Sequence, residues 1–261
     1  MEKLGVIGCG NMGSAIMKGI SASKLDVKVY AFDKDAEKLA KAPAEPCKNE
    51  ADVVSECKYV LLAVKPQVLA QVLDALKSSV TEDTVFISIC AGISEKFIRE
   101  HTVPDAKVVL VMPNTPMMLG MGASAMSTDD RTTDKEFAFA KSVIESCGIA
   151  EIIPIDKMKE IICINGSSPA FIYLFAKGFV DYAAANGIDS SAALRLFAAT
   201  LKGSAEMLTS SGMTVDQLIK QVSSPGGTTL AGLDKLYEGK LTDDVIAACD
   251  ACTRRAYELA Q

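Results

Sequence analysis

Apolar runs and segments of mixed polarity alternate along the first 155 residues of the chain. Continuous apolar strands joined by helices are typical of a parallel sheet that is covered on both faces. The pattern predicts an α/β domain with a doubly wound, Rossmann-type sheet over residues 1–155. The runs of strand length are KLGVIG (3–8), LDVKVYAFD (25–33), YVLLAV (59–64), TVFISIC (84–90) and AKVVLVMP (106–113), with weaker ones at GASAMS (122–127) and EIIPI (151–155).

The remaining residues, 156–261, carry helical patterns and no convincing strand. The first long pattern is interrupted by Pro169 and ends at Asn186-Gly187, a typical C-terminal stop. The second begins at Asp189 or Ser190, either of which suits an N-cap. These patterns predict an all-helical domain over residues 156–261.

Both long helical patterns are apolar on more than one face. A domain of this size has little capacity to bury several faces by itself. We therefore expect a homo-oligomer that buries a second face, with a compact monomeric bundle as the alternative.

The chain has 27 Lys and Arg residues against 33 Asp and Glu residues, a formal net charge of −6. The two signs are interspersed, whereas nucleic-acid binding requires basic clusters. A negatively charged protein also does not attract an acidic substrate from a distance. We expect no nucleic-acid partner, and any anion site must be made locally from backbone dipoles or a few lysines.

The N-terminal residues enter an apolar strand directly, and no run approaches the roughly 18 apolar residues of a membrane span. The eight cysteines are therefore expected to be thiols. These features predict a cytoplasmic protein with no membrane association.

Metal and nucleophile signals are sparse. The C-x-x-C pair of Cys249 and Cys252 lies in a helical pattern and has no second pair, which favours two small residues one helical turn apart over a zinc or redox role. The single histidine, His101, disfavours histidine-based triads and His-rich metal centres. No metal site is predicted.

A glycine motif, G-x-G-x-x-G, follows the first strand and opens the first helix, which is the context that gives it meaning. Gly8 permits the tight turn, Gly10 lets the backbone approach a pyrophosphate, and Gly13 allows close helix–strand packing. The helix N-terminus then faces the negative charge. The motif predicts dinucleotide binding by Ile7, Gly8, Cys9, Gly10, Asn11, Met12 and Gly13.

The second strand ends at Asp33, where an acidic residue bonds the adenosine ribose of NAD. Asp33 would repel the 2′-phosphate of NADP, and the adjacent Lys34 would neutralise that phosphate. A third possibility is that Asp33 only caps the next helix. Both residues are predicted to contact the cofactor, and the choice between NADP(H) and NAD(H) stays open.

Later strands end in further candidates, because ligands of such sheets bind outside the carboxyl ends of the strands. Lys65 offers positive charge and Asn114 offers hydrogen bonds to a carboxamide or a ribose. The predicted cofactor contacts from these segments and the preceding loop are Asn49, Ala63, Val64, Lys65, Pro66, Ile89, Cys90, Ala91 and Asn114.

The segment SSPGGTTLAGL (223–233) interrupts a helical region with a proline, two glycines and two threonines. A tight turn alone would explain it. The alternative is a socket for a small anion, in which backbone N–H groups and the start of a helix supply the positive charge.

Taken together, these motifs resemble pyrroline-5-carboxylate reductases along the whole chain. The resemblance rests on IGCGNMG (7–13), AVKPQ (63–67), ICAGI (89–93), MPNTP (112–116), GSSPAF (166–171) and, most specifically, SSPGGTTLAGL (223–233). GSSPAF departs from the usual GSGPAY, with Ser168 for Gly and Phe171 for Tyr. Asp33 stands where many members carry a short polar residue.

The resemblance implies NAD(P)H-dependent reduction of 1-pyrroline-5-carboxylate to proline, the last step of proline biosynthesis. It implies pairing through the helical domain, as a homodimer or a ring of dimers, with the active site between domains of different chains. It implies that the Thr229 hydroxyl is the catalytic group and forms a hydrogen bond with the imine nitrogen. The implied substrate contacts are Gln221, Ser224, Pro225, Gly226, Gly227, Thr228 and Thr229.

Three competing interpretations share the glycine motif. A β-hydroxyacid dehydrogenase needs a lysine about one helical turn after a glycine cluster, and this chain has no lysine after Gly166 until Lys177. A reductase of another cyclic imine has the same plan. A non-catalytic nucleotide sensor would not need the SPGGTT segment, and substrate-dependent oxidation of NAD(P)H separates it from an enzyme.

Overall fold

The computed structural model describes residues 1–259 and contains one eight-stranded sheet. The strands lie in the order β3-β2-β1-β4-β5-β6-β7-β8. All neighbouring pairs are parallel except β6 with β7. The strands are β1 (Glu2–Ile7), β2 (Val27–Phe32), β3 (Glu45–Pro46), β4 (Tyr59–Leu62), β5 (Val85–Ser88), β6 (Lys107–Met112), β7 (Gly122–Thr128) and β8 (Gly148–Ile152).

Helices cover both faces of the sheet, as the doubly wound prediction requires. One apolar cluster packs α1 and α6 against one face, and a second packs α3, α4 and α5 against the other. The predicted Rossmann-type architecture is confirmed. The helices are α1 (Asn11–Ala22), α2 (Ala36–Lys41), α3 (Glu50–Glu56), α4 (Pro66–Leu76), α5 (Glu95–His101) and α6 (Asp134–Glu145).

Two features of the sheet differ from the prediction. β7 runs antiparallel to β6, because the connection at 113–121 is too short for the crossover that a parallel neighbour needs. The edge strand β3 and the helix α3 were not predicted, because two residues of strand carry no periodicity.

The C-terminal part is helical, as predicted, but Pro169 does not interrupt its first helix. A π-helical turn, Ile162–Ser167, leads directly into α7 (Ser168–Ala185). In an α-helix the proline would leave the carbonyl of Asn165, four residues earlier, without its N–H donor. The side chain of Asn114 donates to that carbonyl at 3.2 Å instead. The wider turn and this outside donor let the helix continue through the proline.

Four more helices complete the described chain, namely α8 (Ser190–Ser210), α9 (Val215–Gln221), α10 (Thr228–Glu238) and α11 (Leu241–Leu259). Asp189 is the N-cap of α8, as one of the two predictions has it, and accepts from the Ala192 N–H at 2.8 Å. Among residues 1–259, no helix combines the length and the apolar character of a membrane span.

The chain divides into two compact units. The first contains Met1–Ser167 together with the end of α11 from Ala251, and the second contains Ser168–Asp250. Within the second unit, as part of a single chain, only Pro169 and Ala183 are buried. Its helices therefore have almost no apolar core of their own, which is the burial problem that the sequence pattern predicts.

A buried carboxylate joins α6 to the starts of β4 and β6 within the first unit. Glu136, in the first turn of α6, is 4% exposed. Its Oε1 lies 2.9 Å from Lys58 Nζ and 3.0 Å from Lys107 Nζ. Its Oε2 accepts from the Thr133 N–H and hydroxyl in a capping box. Burial by itself raises the pKa of Glu136, but the hydrogen bonds from Lys58, Thr133 and Lys107 prevail and lower it to about 2.

Replacing Glu136 with Gln should cost roughly 2 kcal/mol of stability at neutral pH, because two lysines lose their shared anion. A carboxyl group whose pKa is lower in the folded protein stabilises the fold at pH values above its unfolded pKa. That stabilisation is lost as the pH falls toward about 2. The free energy of unfolding in urea should therefore decrease between about pH 5 and pH 2 more for the wild type than for E136Q. E145Q, at an exposed pair with Lys141, is the control and should match the wild type. Equal acid dependence of wild type and E136Q would contradict the assignment.

Candidate functional site

The glycine turn after β1 has the form expected of a dinucleotide site. Gly8 has a φ of +104°, and an added Cβ would lie 2.6 Å from the Ala63 carbonyl oxygen. An added Cβ on Gly13 would lie 2.1 Å from the Gly8 carbonyl oxygen. A Cβ on Gly10 would meet no atom within 4 Å. Gly8 and Gly13 thus permit close backbone packing, and Gly10 borders an open space that fits a pyrophosphate.

Asp33 joins the end of β2 to this turn. Its Oδ2 accepts from the Cys9 N–H at 2.6 Å, and its Oδ1 accepts from the Asp35 N–H at 2.8 Å. The possibility that Asp33 caps the next helix is wrong, because Asp35 is the N-cap of α2 and accepts from the N–H groups of Glu37 and Lys38. Asp33 is therefore fixed beside the glycine turn rather than on the helix.

A cleft of about 260 Å³ lies between these elements and the start of α4. Eight predicted cofactor residues line it: Ile7, Gly8, Gly10, Asp33, Lys34, Ala63, Val64 and Lys65. Five lining residues were not predicted: Phe32, Lys38, Glu50, Val68 and Val72. Glu50 reaches the cleft because α3 follows the short strand β3. The one local signal for α3 in the sequence is Asn49, whose side chain caps it through the Asp52 N–H at 2.8 Å.

The other predicted cofactor residues surround this cleft or follow later strands. Cys9, Asn11, Met12 and Gly13 belong to the glycine turn and the first turn of α1, Pro66 is the first residue of α4, and Ile89, Cys90 and Ala91 follow β5. Cys90 lines a separate cavity of about 350 Å³ at the carboxyl ends of β5 and β6. Burial raises the pKa of Cys90 to about 11, and burial followed by the Asp33 charge raises that of Cys9 to about 11. Both thiols are thus protonated and weakly nucleophilic at neutral pH.

Asn114 has a structural partner that the sequence did not reveal. Its Oδ1 accepts from the Ala123 N–H at 2.9 Å, while its Nδ2 donates to the Asn165 carbonyl. Asn165 in turn donates from Nδ2 to the carbonyls of Met112 and Ala123 at 2.7 and 2.9 Å. The two asparagines fasten the end of β6 and the start of β7 to the π-helical turn. Asn114 therefore holds the loop after β6 in place, whether or not it also contacts a ligand.

Among the α-helices whose N-cap the structure describes, three have no side-chain cap. Asp, Asn, Ser and Thr side chains cap α2, α3, α5, α6, α8 and α9. In contrast, α1, α4 and α10 begin after Gly10, Lys65 and Gly227 without such a bond. The first N–H groups of a helix have no partner within the helix and carry its positive dipole. Two of these three helices, α1 and α10, begin at the segments that the sequence analysis predicts to bind anions.

The predicted substrate segment lies in the second unit, between α9 and α10. Gln221 is the last residue of α9, and Thr228 and Thr229 form the first turn of α10. The Gly227 N–H donates to the Ser224 carbonyl at 2.9 Å, and Gly226 has a φ of +72°. An added Cβ on Gly227 would lie 2.6 Å from Ser224 Oγ. Of the seven predicted substrate contacts, Gln221 ends α9, residues 224–227 form a tight turn, and the two threonines open the uncapped α10. Ser224, Pro225 and both threonines are exposed.

Known proteins match this chain over nearly its whole length. A family model for pyrroline-5-carboxylate reductase dimerisation matches residues 156–259, and one for coenzyme F420-dependent NADP oxidoreductases matches residues 3–92. Pyrroline-5-carboxylate reductase 3 of Xenopus laevis is 33% identical over 98% of this chain and 95% of its own length. The chain belongs to the pyrroline-5-carboxylate reductase family.

Other members of the family agree with this assignment. The Escherichia coli pyrroline-5-carboxylate reductase is 29% identical over 100% of this chain and 99% of its own. A crystal structure of the Plasmodium falciparum pyrroline carboxylate reductase with NADP bound has a TM-score of 0.87 at 29% identity, covering 100% of this chain and 98% of that one. The predicted family, a Rossmann-type domain followed by a helical dimerisation domain, and an NAD(P)H-dependent oxidoreductase are confirmed. The roles of individual residues stay predictions.

The glycines of the turn offer a test that separates packing from binding. Gly10→Ala should leave the melting temperature nearly unchanged, because its Cβ enters open space. The same methyl obstructs the pyrophosphate, so the Kd for NADPH should rise at least about tenfold. Gly13→Ala should destabilise the protein by at least about 2 kcal/mol, because its Cβ overlaps the Gly8 carbonyl.

Thermal unfolding without nucleotide and nucleotide titration with each variant measure the two effects. Gly203→Ala, on α8 and thus outside the Leu174 face of α7, is the control, since its Cβ also meets open space. Unchanged NADPH affinity in G10A would contradict the placement of the pyrophosphate.

Proposed function

We propose that the chain reduces L-1-pyrroline-5-carboxylate to L-proline with NAD(P)H, the last step of proline biosynthesis. The observation that carries this proposal is the Ser224–Thr229 turn at the uncapped start of α10. A small cyclic imine with one carboxylate needs an anion socket beside a hydroxyl. This turn offers both without a cationic side chain.

The substrate carboxylate is assigned to the turn. The N–H groups of Thr228, Thr229 and Leu230 lie at the first three positions of α10, where they have no acceptor within the helix. The helix dipole adds positive charge at the same point. The net charge of −6 would not draw an acidic substrate toward the protein, so local attraction of this kind is required.

The Thr229 hydroxyl is assigned to the imine nitrogen, whose basicity increases as the C=N bond is reduced. The bound cofactor supplies the hydride that the imine carbon accepts. The role of the chain is to orient the two ligands and to keep donors fixed at the developing charge. In the first unit, the N-terminus of α1 would hold the pyrophosphate and the start of α4, with Val64 and Lys65, would border the cofactor.

The functional unit is proposed to be a homodimer through residues 156–261, with the dinucleotide domain at 1–155. Apolar side chains are exposed along α7, including Leu174 at 71% and Tyr182 at 67%. Such exposure is far beyond what a monomeric helical domain sustains. A ring of dimers would use the same helices. The active site would then form between domains of different chains.

A cytoplasmic location is also proposed. All eight cysteines are thiols in the structure, including the C-x-x-C pair on α11. A reducing compartment is the usual setting for such a set of free thiols.

Removing the Thr229 hydroxyl should lower kcat by about 10²-fold, as loss of a preorganised donor does. Thr229→Val removes the hydroxyl at constant shape, and Thr229→Ser restores it. We expect T229V to lose turnover and T229S to keep most of it, measured by oxidation of NADPH and of NADH with pyrroline-5-carboxylate. Thr209→Val on α8, where the hydroxyl bonds only its own helix, is the control. Unchanged turnover in T229V would refute the role, and wild-type protein that reduces only another cyclic imine would refute the substrate.

A charge placed on the apolar face of α7 should break the dimer. Leu174→Glu is expected to shift the protein to a smaller species in light scattering after size exclusion, at micromolar concentration, because an unpaired carboxylate is costly to bury. Its second unit should then show faster amide hydrogen exchange. Ile149→Glu, at a 60% exposed position of β8, is the control. A dimer that survives L174E would place the interface elsewhere.

A further inference from the structure

The geometry around Asp33 assigns this chain tighter binding of NADH than of NADPH. Both are cofactors of the family, and the inference concerns which of them the adenosine end of the cleft prefers. It rests on the proposed function only for the identity of the ligand as a nicotinamide dinucleotide.

The Asp33 carboxylate is fixed where the adenosine ribose must lie. One oxygen receives the Cys9 N–H of the glycine turn, and the other receives the Asp35 N–H after β2. The turn binds the pyrophosphate through Gly10 and the start of α1, and the adenosine ribose is the next group of the cofactor. Asp33 lines the cleft that this turn borders, and each of its oxygens, with one backbone donor, keeps a lone pair for a further donor.

The two cofactors differ at one position, the ribose 2′ oxygen. In NADH it is a hydroxyl that donates to a carboxylate. In NADPH it is a phosphate with up to two negative charges and, when fully ionised, no proton to donate. Contact with Asp33 is therefore a charge-assisted hydrogen bond for NADH and a like-charge repulsion for NADPH.

Positive side chains line the same cleft, and their geometry decides whether they offset Asp33. Lys38 is already paired with Asp35 at 3.0 Å. Glu50, which also lines the cleft, brings a second carboxylate. Lys34 and Lys65 have exposed side chains without an ion-pair partner among residues 1–259. An exposed, flexible lysine contributes little through solvent, whereas the Asp33 carboxylate is held by two backbone donors.

We expect NADH to bind the wild type at least about tenfold more tightly than NADPH, measured by fluorescence titration of each nucleotide without substrate. Asp33→Asn keeps the shape and removes the charge. It should lower the NADPH Kd and raise the NADH Kd, so that the ratio falls to about one or reverses. Asp33→Ser should do the same, and thermal unfolding without nucleotide checks that each variant is folded.

Two matched variants sharpen the test. Glu37→Gln removes a carboxylate from the exposed face of α2, outside the cleft, and should leave the ratio within about twofold of the wild type. Lys34→Ala should raise the NADPH Kd by less than about threefold. The inference is overturned if wild-type protein binds NADPH as tightly as NADH, if D33N leaves the ratio unchanged, or if K34A raises the NADPH Kd more than tenfold. Because no substrate is present, failure to reduce pyrroline-5-carboxylate would refute the proposed function and leave this result intact.

Discussion

The steric contact between the Gly8 carbonyl and Gly13 is the constraint on which the nucleotide half of the molecule depends. With a Cβ at Gly13 only 2.1 Å from that oxygen, α1 could not begin where it does. With a Cβ at Gly8, the turn would collide with the carbonyl of Ala63 after β4. Because Gly8 and Gly13 have no side chains, β1, α1 and β4 pack closely together, and the start of α1 faces open space at Gly10. The same close packing places the Cys9 nitrogen 2.6 Å from Asp33 Oδ2, so the position of the Asp33 charge follows from the glycines as well.

Side-chain capping of helix N-termini is a second feature in which local backbone structure bears on ligand binding. An N-cap side chain is worth about 1 kcal/mol, and most helices of this protein have one. Helices α1, α4 and α10 start after Gly10, Lys65 and Gly227 without such a side chain. Two of them, α1 and α10, begin at the segments predicted to bind anions, where uncapped N–H groups would favour a ligand over local stability. Glycine at two of these positions also keeps side-chain bulk away from the N–H groups.

The sequence predicted what depends on local pattern and missed what depends on tertiary partners. The parallel strands, the glycine turn and the break in helical pattern at SPGGTT carry strong local signals, and all are present. The direction of β7 depended on a connection length that periodicity does not measure. The continuity of the helix through Pro169 depended on Asn114, a donor more than fifty residues away, for which the proline gives no cue. Glu50 lines the cleft at the start of α3, which follows β3, a strand of two residues that is too short to show a periodic pattern.

Stability and catalysis are coupled in the second unit because it has so little core. Only Pro169 and Ala183 are buried there in a single chain, and α8, α9 and α10 bury no residue. Yet the proposed substrate turn is carried by this unit and works only if the N–H groups of α10 are held rigidly. In the proposed dimer, apolar area buried against a second copy, along faces such as that of Leu174, would order the turn. The proposal therefore makes the two halves of the chain unequal, because a lone chain would keep the cleft of its well-packed first unit and lose the order of the turn. Assembly is in that proposal part of the active site rather than an addition to it.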